Sequence, residues 1–199
     1  MPGMIVGVVL AAGASRRLGR PKQTLPFGDT TLLGRVVADV ERSSLERVVV
    51  VVEPELATQV PGLGPGRSVR VAPDTRSDGC SGSLHAGLSE AGECEAVMLL
   101  LGDMPGVDAA VIDAVAADWR RDRPWAMVTS YRDGLGHPFV FAEPAFPELL
   151  ALHGDKAVWK LLDQHPDRIA QSPQPGPRPA DIDTEADYRS ALLAFGLAG

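Results

Sequence analysis

The chain has 199 residues, 45% of them hydrophobic, enough to bury roughly 70% of its unfolded surface in one core and too few to suggest a second full domain. A formal net charge of −7 argues against a protein that coats nucleic acid through a broad basic surface. Two cysteines, Cys80 and Cys94, with no C-x-x-C spacing, make a disulfide scaffold or a structural zinc site improbable and fit a reducing cytoplasm.

No apolar stretch reaches about 18 residues, and the first residues run into a strand instead of a charged and then apolar leader, so a soluble protein that is not exported is expected. An apolar strand spans about Met4 to Leu10 and breaks into Ala11-Ala12-Gly13-Ala14-Ser15-Arg16-Arg17-Leu18-Gly19-Arg20-Pro21-Lys22. Small residues after a buried strand let backbone N–H groups approach a ligand, and the arginines and lysine add fixed positive charge, as a triphosphate requires. Neither the Walker loop nor the three-glycine dinucleotide fingerprint is present.

Further along, Thr30 to Ser43 has the spacing of a helix with Leu32, Leu33, Val36, Val37 and Val40 on one face, and Arg47 to Val52 reads as a buried parallel strand. A short strand at Ser68 to Ala72 precedes a helix that begins near Ser81 and carries Leu84 and Leu88. The strand Ala96 to Leu101 ends in Gly102-Asp103-Met104-Pro105, a helix covers about Asp108 to Arg121, and another strand spans Trp125 to Ser130. Phe139 to Phe141 reads as a strand, helices fall near Pro144 to Leu152 and Asp155 to Gln164, Ser172 to Pro179 is a proline-rich connector, and a last helix covers Thr184 to Phe195. Strands that alternate with amphipathic helices predict a single α/β domain, a Rossmann-like three-layer α/β/α sandwich around a mostly parallel sheet.

In such sheets ligands bind beyond the carboxyl ends of the strands, where both Asp103 and the first loop lie. Carboxylate and phosphate oxygens suit Mg2+, which keeps several waters and needs only one or two aspartates. Capping of the next helix is the other use open to Asp103. His85, His153 and His165 read as ordinary surface residues, and neither cysteine has a partner that would make it a nucleophile.

The stretch LAAGASRRLGRPKQTLPFGDTTLL resembles the signature loop of the MobA-like nucleoside triphosphate transferases, relatives of the molybdenum cofactor nucleotidyltransferases, whose sheet is of the nucleotide-diphospho-sugar transferase type. The resemblance implies transfer of a nucleoside monophosphate to a phosphorylated acceptor, with pyrophosphate released and Mg2+ as cofactor. It carries Lys22, Arg17 and Asp103 over as catalytic, with Leu10, Ala11, Ala12, Gly13, Ser15 and Arg16 in the nucleotide loop. Ser81 and Ser83 lie in a segment similar to the family's G-M-x-S-S-L-x-x-G-L, which touches base or ribose; helix capping by Ser81 stays open. By the same resemblance Asp103 would be the principal metal aspartate, and Asp183, in D-I-D-T-E-A-D-Y, the second, with Asp181 competing. Gly136-His137-Pro138 resembles an acceptor-side motif, and Leu152 to Ala157 is similar to a loop that shapes the acceptor pocket.

Within that resemblance, Leu10-Ala11-Ala12-Gly13 is the cytidylyl form of a loop that guanylyl-transferring members write L-A-G-G, so CTP is favoured; Met104 leaves GTP open. The implied partners are the nucleotide, a phosphorylated pterin-type acceptor and a molybdoenzyme client, with neither nucleic acid nor membrane. A sugar or alditol phosphate nucleotidylyltransferase, a non-catalytic module that loads the cofactor, and an oxidoreductase are the alternatives, the last disfavoured by the missing glycine fingerprint.

Overall fold

The computed structural model describes residues 3–13, 15, 17–61, 63, 68–71, 79–154 and 157–198. In chain order its elements are β1 (Ile5–Leu10), β2 (Pro26–Phe27), β3 (Thr30–Thr31), α1 (Leu32–Arg42), β4 (Arg47–Val51), α2 (Pro54–Ala57), β5 (Ser68–Val71), α3 (Gly79–Ala91), β6 (Ala96–Leu101), α4 (Ala109–Asp122), β7 (Ala126–Tyr131), β8 (Gly134–Ala142), α5 (Phe146–Leu150), α6 (Ala157–Gln164), β9 (Ile169–Pro173) and α7 (Glu185–Ala194). A single 3-10 turn, Lys22–Thr24, stands between β1 and the β2–β3 hairpin.

Seven strands form one sheet in the order β5-β4-β1-β6-β8-β7-β9, and β8 alone runs against its neighbours. In register, Val8 lies between Val49 and Leu99, and Leu10 lies between Val51 and Leu101. Alternate residues therefore load opposite faces. Ile5, Val9, Val48, Val50, Met98 and Leu100 pack under α1 and α4, whereas Val6, Val8, Val49, Val51, Val97 and Leu99 pack with α3, α5 and α6. This is the three-layer α/β/α arrangement that the sequence predicts. A smaller cluster of Leu25, Phe27, Leu32, Ile182 and Tyr188 seats α7 on the hairpin.

Several boundaries differ from expectation for local reasons. Thr30 and Thr31 form a hairpin strand and not a helix start: Gly28, with φ +69°, supplies the reversal, and the Thr31 side chain then caps α1 by accepting from the Gly34 N–H. The expected connector at Ser172 begins inside β9, an edge strand that pairs with β7 and tolerates Pro173 because an edge leaves one side of the backbone unpaired. β8 begins at Gly134, earlier than Phe139. The expected helix over Pro144 to Leu152 is a 3-10 turn, Glu143–Ala145, followed by α5. Ala72 and Asp155 lie outside the described residues. No helix among the described residues is long and apolar enough to cross a membrane.

Candidate active site

β1 and β6 are neighbours, so their carboxyl ends release two chains side by side. Gly102 N–H donates to Leu10 O at 2.9 Å, and Ala11 N–H donates to Val51 O at 2.8 Å. A Cβ on Gly102 would stand 2.7 Å from Ala11 Cβ and 3.0 Å from Leu33 Cδ1, closer than carbon atoms tolerate. Glycine is thus what allows Asp103 to emerge directly against the loop after β1.

That loop is fixed from within. Ser15, in the left-handed region at φ +46°, accepts through Oγ from the Lys22 N–H at 3.0 Å. This bond returns the chain to β1 and aims Lys22 across the strand ends. Its Nζ donates to Asp103 Oδ2 and, at 2.8 Å, to Asp183 Oδ1. The Lys22 and Asp103 side chains are only 13% and 16% exposed, and Asp183 is 33% exposed. Arg17 Nη1 lies 3.1 Å from Asp183 Oδ2, but its side chain is 73% exposed, so the pair is largely screened.

The tail reaches this point through a backbone bond, Ile182 N–H to Asp103 O at 3.1 Å, while buried Ile182 anchors it in the hairpin cluster. Thr184 caps α7 in a reciprocal box with Asp187, which frees Asp183 to face Lys22. Asp108, not Asp103, caps α4, its Oδ1 accepting from the Val111 N–H at 3.0 Å. The capping role left open for Asp103 is therefore filled by another residue.

Asp103 Oδ1 is buried and has no partner among the described residues. Burial pushes the carboxyl above its usual range, against the pull of Lys22, and the charge of Asp181 adds to the shift. Burial works to lower the Lys22 ammonium, and the two carboxylates more than reverse it. Such a pair, with one bare inward oxygen, offers hard oxygen ligands for a divalent cation. Among the described residues no three His, Cys, Asp or Glu side chains converge as a full ligand set, so phosphate and water would complete the shell.

On the other side of β6, Tyr131 OH donates to His137 O at 2.7 Å and Thr129 Oγ1 to Pro138 O at 2.7 Å, fixing the backbone there. The His137 ring packs on Phe139, centroids 4.0 Å apart, with Nδ1 3.3 Å from Leu99 O. A carbonyl only accepts, so Nδ1 carries the proton and donates. Burial pushes this imidazole down to about 4, opposed by the Leu99 carbonyl and by Asp181, and it stays neutral near pH 7. Gly136 lies beneath Arg178, whose Cδ would meet a Cβ there at 2.7 Å, and Arg178 Nη1 donates to Leu135 O at 3.2 Å.

Lys22, Arg17, Asp103 and Asp183 are thus brought together, with Leu10, Ala11, Ala12, Gly13 and Ser15 around them. Ser81 and Ser83 are buried on α3, and Ser81 Oγ accepts from the Gly154 N–H at 3.2 Å, linking α3 to the loop resembling the acceptor-pocket segment. Arg16 lies outside the described residues, as does the Cys80 side chain; Cys94 is buried, which pushes its thiol up to about 11 and leaves it inert. His85 is not an ordinary surface residue: its Nε2 is buried without a partner among the described residues, and its ring meets His153 edge-on at 6.1 Å. Arg178 carries no motif in the sequence and emerges only from packing, and Gln23, although it stands in the signature stretch, shows its contacts with the Ala11 and Gly13 carbonyls only in the structure.

The chain matches the model of the MobA-like NTP transferase domain over residues 7–169. A solved structure of Rv0371c from Mycobacterium tuberculosis in complex with manganese superposes with a TM-score of 0.81 at 32% identity, covering 96% of this chain and 99% of that one. A 2-C-methyl-D-erythritol 4-phosphate cytidylyltransferase of Rhodococcus opacus is 38% identical over 100 residues, 49% of this chain and 43% of its own length. A probable molybdenum cofactor guanylyltransferase of Mycobacterium tuberculosis is 39% identical over 83 residues, 34% of this chain and 41% of its own. The chain therefore spans less than half the length of these two relatives. With the family model matched over most of the chain, and its signature loop and strand-end aspartate side by side in space, the chain belongs to the MobA-like NTP transferase family.

Proposed function

We propose that the protein transfers a nucleoside monophosphate, CMP from CTP, to a phosphorylated acceptor of the molybdopterin type and releases pyrophosphate in a Mg2+-dependent reaction. The observation that carries this reading is Lys22 held between Asp103 and Asp183 at the mouth of the loop after β1. A cation poised against two carboxylates, beside a loop of small residues, is the arrangement that a magnesium triphosphate would enter.

Asp103 and Asp183 would hold the metal, which on binding neutralises charge on the phosphate oxygens. Backbone N–H groups of Ala12 and Gly13 and the Ser15 turn would receive the triphosphate, the Ala11 N–H being held by Val51 O, and Lys22 and Arg17 would place positive charge on it. An oxygen of the acceptor phosphate attacks the α-phosphorus in line; the new P–O bond forms as the bond to the bridging oxygen breaks, and the charge leaves with pyrophosphate. No side chain need become covalently attached, because transfer of this kind rests on positioning and on neutralising phosphate charge.

His137, neutral with Nδ1 committed to Leu99, keeps only the acceptor lone pair of Nε2. That favours an N–H or O–H of the acceptor over its phosphate as the partner of this ring. Ala12 supports CTP, because its methyl narrows the room for a purine. Two observations keep GTP as the second reading: Met104, and the guanylyltransferase likeness. The test is pyrophosphate release from each of the four nucleoside triphosphates with Mg2+ and a molybdopterin-type acceptor. CTP-dependent release supports the reading, and release only with an alditol phosphate acceptor overturns its acceptor half.

A further inference from the structure

Next to Lys22 in sequence, Gln23 is 2% exposed and sits under the nucleotide loop. Its Nε2 donates to Ala11 O at 2.6 Å and to Gly13 O at 3.1 Å, while Oε1 is buried with no partner among the described residues. Two carbonyl partners fix the orientation of the amide, since only the NH2 end donates. In a trans peptide the carbonyl and the N–H that follows it point to opposite sides. Drawing the Ala11 carbonyl inward therefore turns the Ala12 N–H away from Gln23, and the loop is open at Gly13, where an added Cβ would meet nothing within 4 Å.

We propose that Gln23 is the positioning residue of the nucleotide loop: it ties the carbonyls of Ala11 and Gly13 inward so that the loop presents its N–H groups to the triphosphate before the ligand arrives. The inference rests on the nucleotide reading of this loop. Packing alone does not account for an amide here. A buried acceptor without a partner works against stability, and methionine would fill the same volume without one. Gln23 also complements Ser15: the amide holds the start of the loop, and the Ser15 hydroxyl holds its return at the Lys22 N–H. Preorganised donors lower the ordering that binding must otherwise impose.

The experiment compares Gln23→Met and Gln23→Glu with the parent by calorimetric binding of CTP and Mg2+ without acceptor, by thermal melting, and by steady-state kinetics. Expected is a Gln23→Met protein that melts at or above the parental temperature, binds CTP about tenfold more weakly, and shows the loss in KM with kcat changed less than about threefold. Gln23→Glu, with a carboxylate facing two carbonyl oxygens, should bind at least as weakly. A Gln23→Met protein with parental affinity overturns the proposal while the nucleotide reading stands. A parent that binds no nucleoside triphosphate overturns both. If Gln23→Met does not fold, nitrogen-15 NMR of the parent decides: slowly exchanging Gln23 side-chain protons with scalar couplings to the Ala11 and Gly13 carbonyls uphold it, and freely exchanging ones overturn it.

Discussion

Replacing Lys22 by methionine keeps the length of the side chain and removes its charge. At about 4 Å from a phosphate oxygen, with an effective dielectric constant near 20, a unit charge is worth about 4 kcal/mol. The part that grows in the transition state, about 3–4 kcal/mol by analogy with single oxyanion donors, corresponds to a loss of about 10²–10³ in kcat. Stability should fall too. With the ammonium gone, Asp103, only 16% exposed, loses its counter-charge, and Asp183, one-third exposed, keeps only the largely screened Arg17. Breaking a fully buried pair costs about 3–5 kcal/mol, and the partial exposure of Asp183 reduces this to about 2–3. For a chain of 199 residues that is a drop of about 5–10 °C in Tm. Millimolar Mg2+ or Mn2+ should restore the Tm of the variant, because a dication replaces the missing charge between the carboxylates, and should leave kcat low. Scanning calorimetry with and without metal, together with pyrophosphate release, reads both effects. A variant that loses less than about threefold in kcat, or whose Tm is indifferent to charge and metal alike, would refute the reasoning.

Asp103→Asn should abolish metal-dependent turnover and leave Tm within a few degrees of the parent, since it also removes a carboxylate that burial disfavours; activity per folded molecule preserved in an unstable variant would mark Asp103 as structural instead. Ala12→Gly should narrow a preference for CTP over GTP of about 10–200-fold in kcat/KM, the worth of one or two crowded contacts, and a parent that uses GTP at least as well as CTP rules out the cytidylyl assignment. The pH dependence of stability should carry a His137 component. Its folded value is about 4 against an ordinary 6.5, so between those limits the unfolded chain binds more protons and stability declines as pH falls, by at most about 3 kcal/mol. Urea midpoints at neutral and acid pH for the parent and His137→Gln should show that component vanish in the variant, and equal slopes would exclude it.

The central sheet was legible because buried parallel strands are unbroken apolar runs: β1, β4 and β6 lie where Ile5, Arg47 and Ala96 begin such runs. Lys22, Asp103 and Asp183 were legible as types, a cation after a small-residue loop and two carboxylates at element ends. Their mutual contact was not, because 81 and 161 residues separate Lys22 from its two partners and only the β1–β6 register and the Ile182 backbone bond close those gaps. β9 escaped notice because two prolines within three residues suggest a connector, whereas an edge position removes their usual penalty. Gln23 stands in the signature stretch beside Lys22, but its task depends on carbonyls ten and twelve residues away, a contact that no local pattern encodes. The same holds for Arg178, which reaches Gly136 from a proline-rich tail.

The most direct test of nucleotidyl transfer at the site of Lys22, Asp103 and Asp183 is a mass-resolved end-point assay with CTP, a molybdopterin-type acceptor and Mg2+, with and without a chelator. The account predicts one pyrophosphate for each acceptor that gains a CMP, no product without acceptor, and none when the metal is chelated. Release of orthophosphate, or transfer that persists in chelator or in Asp103→Asn, would contradict it.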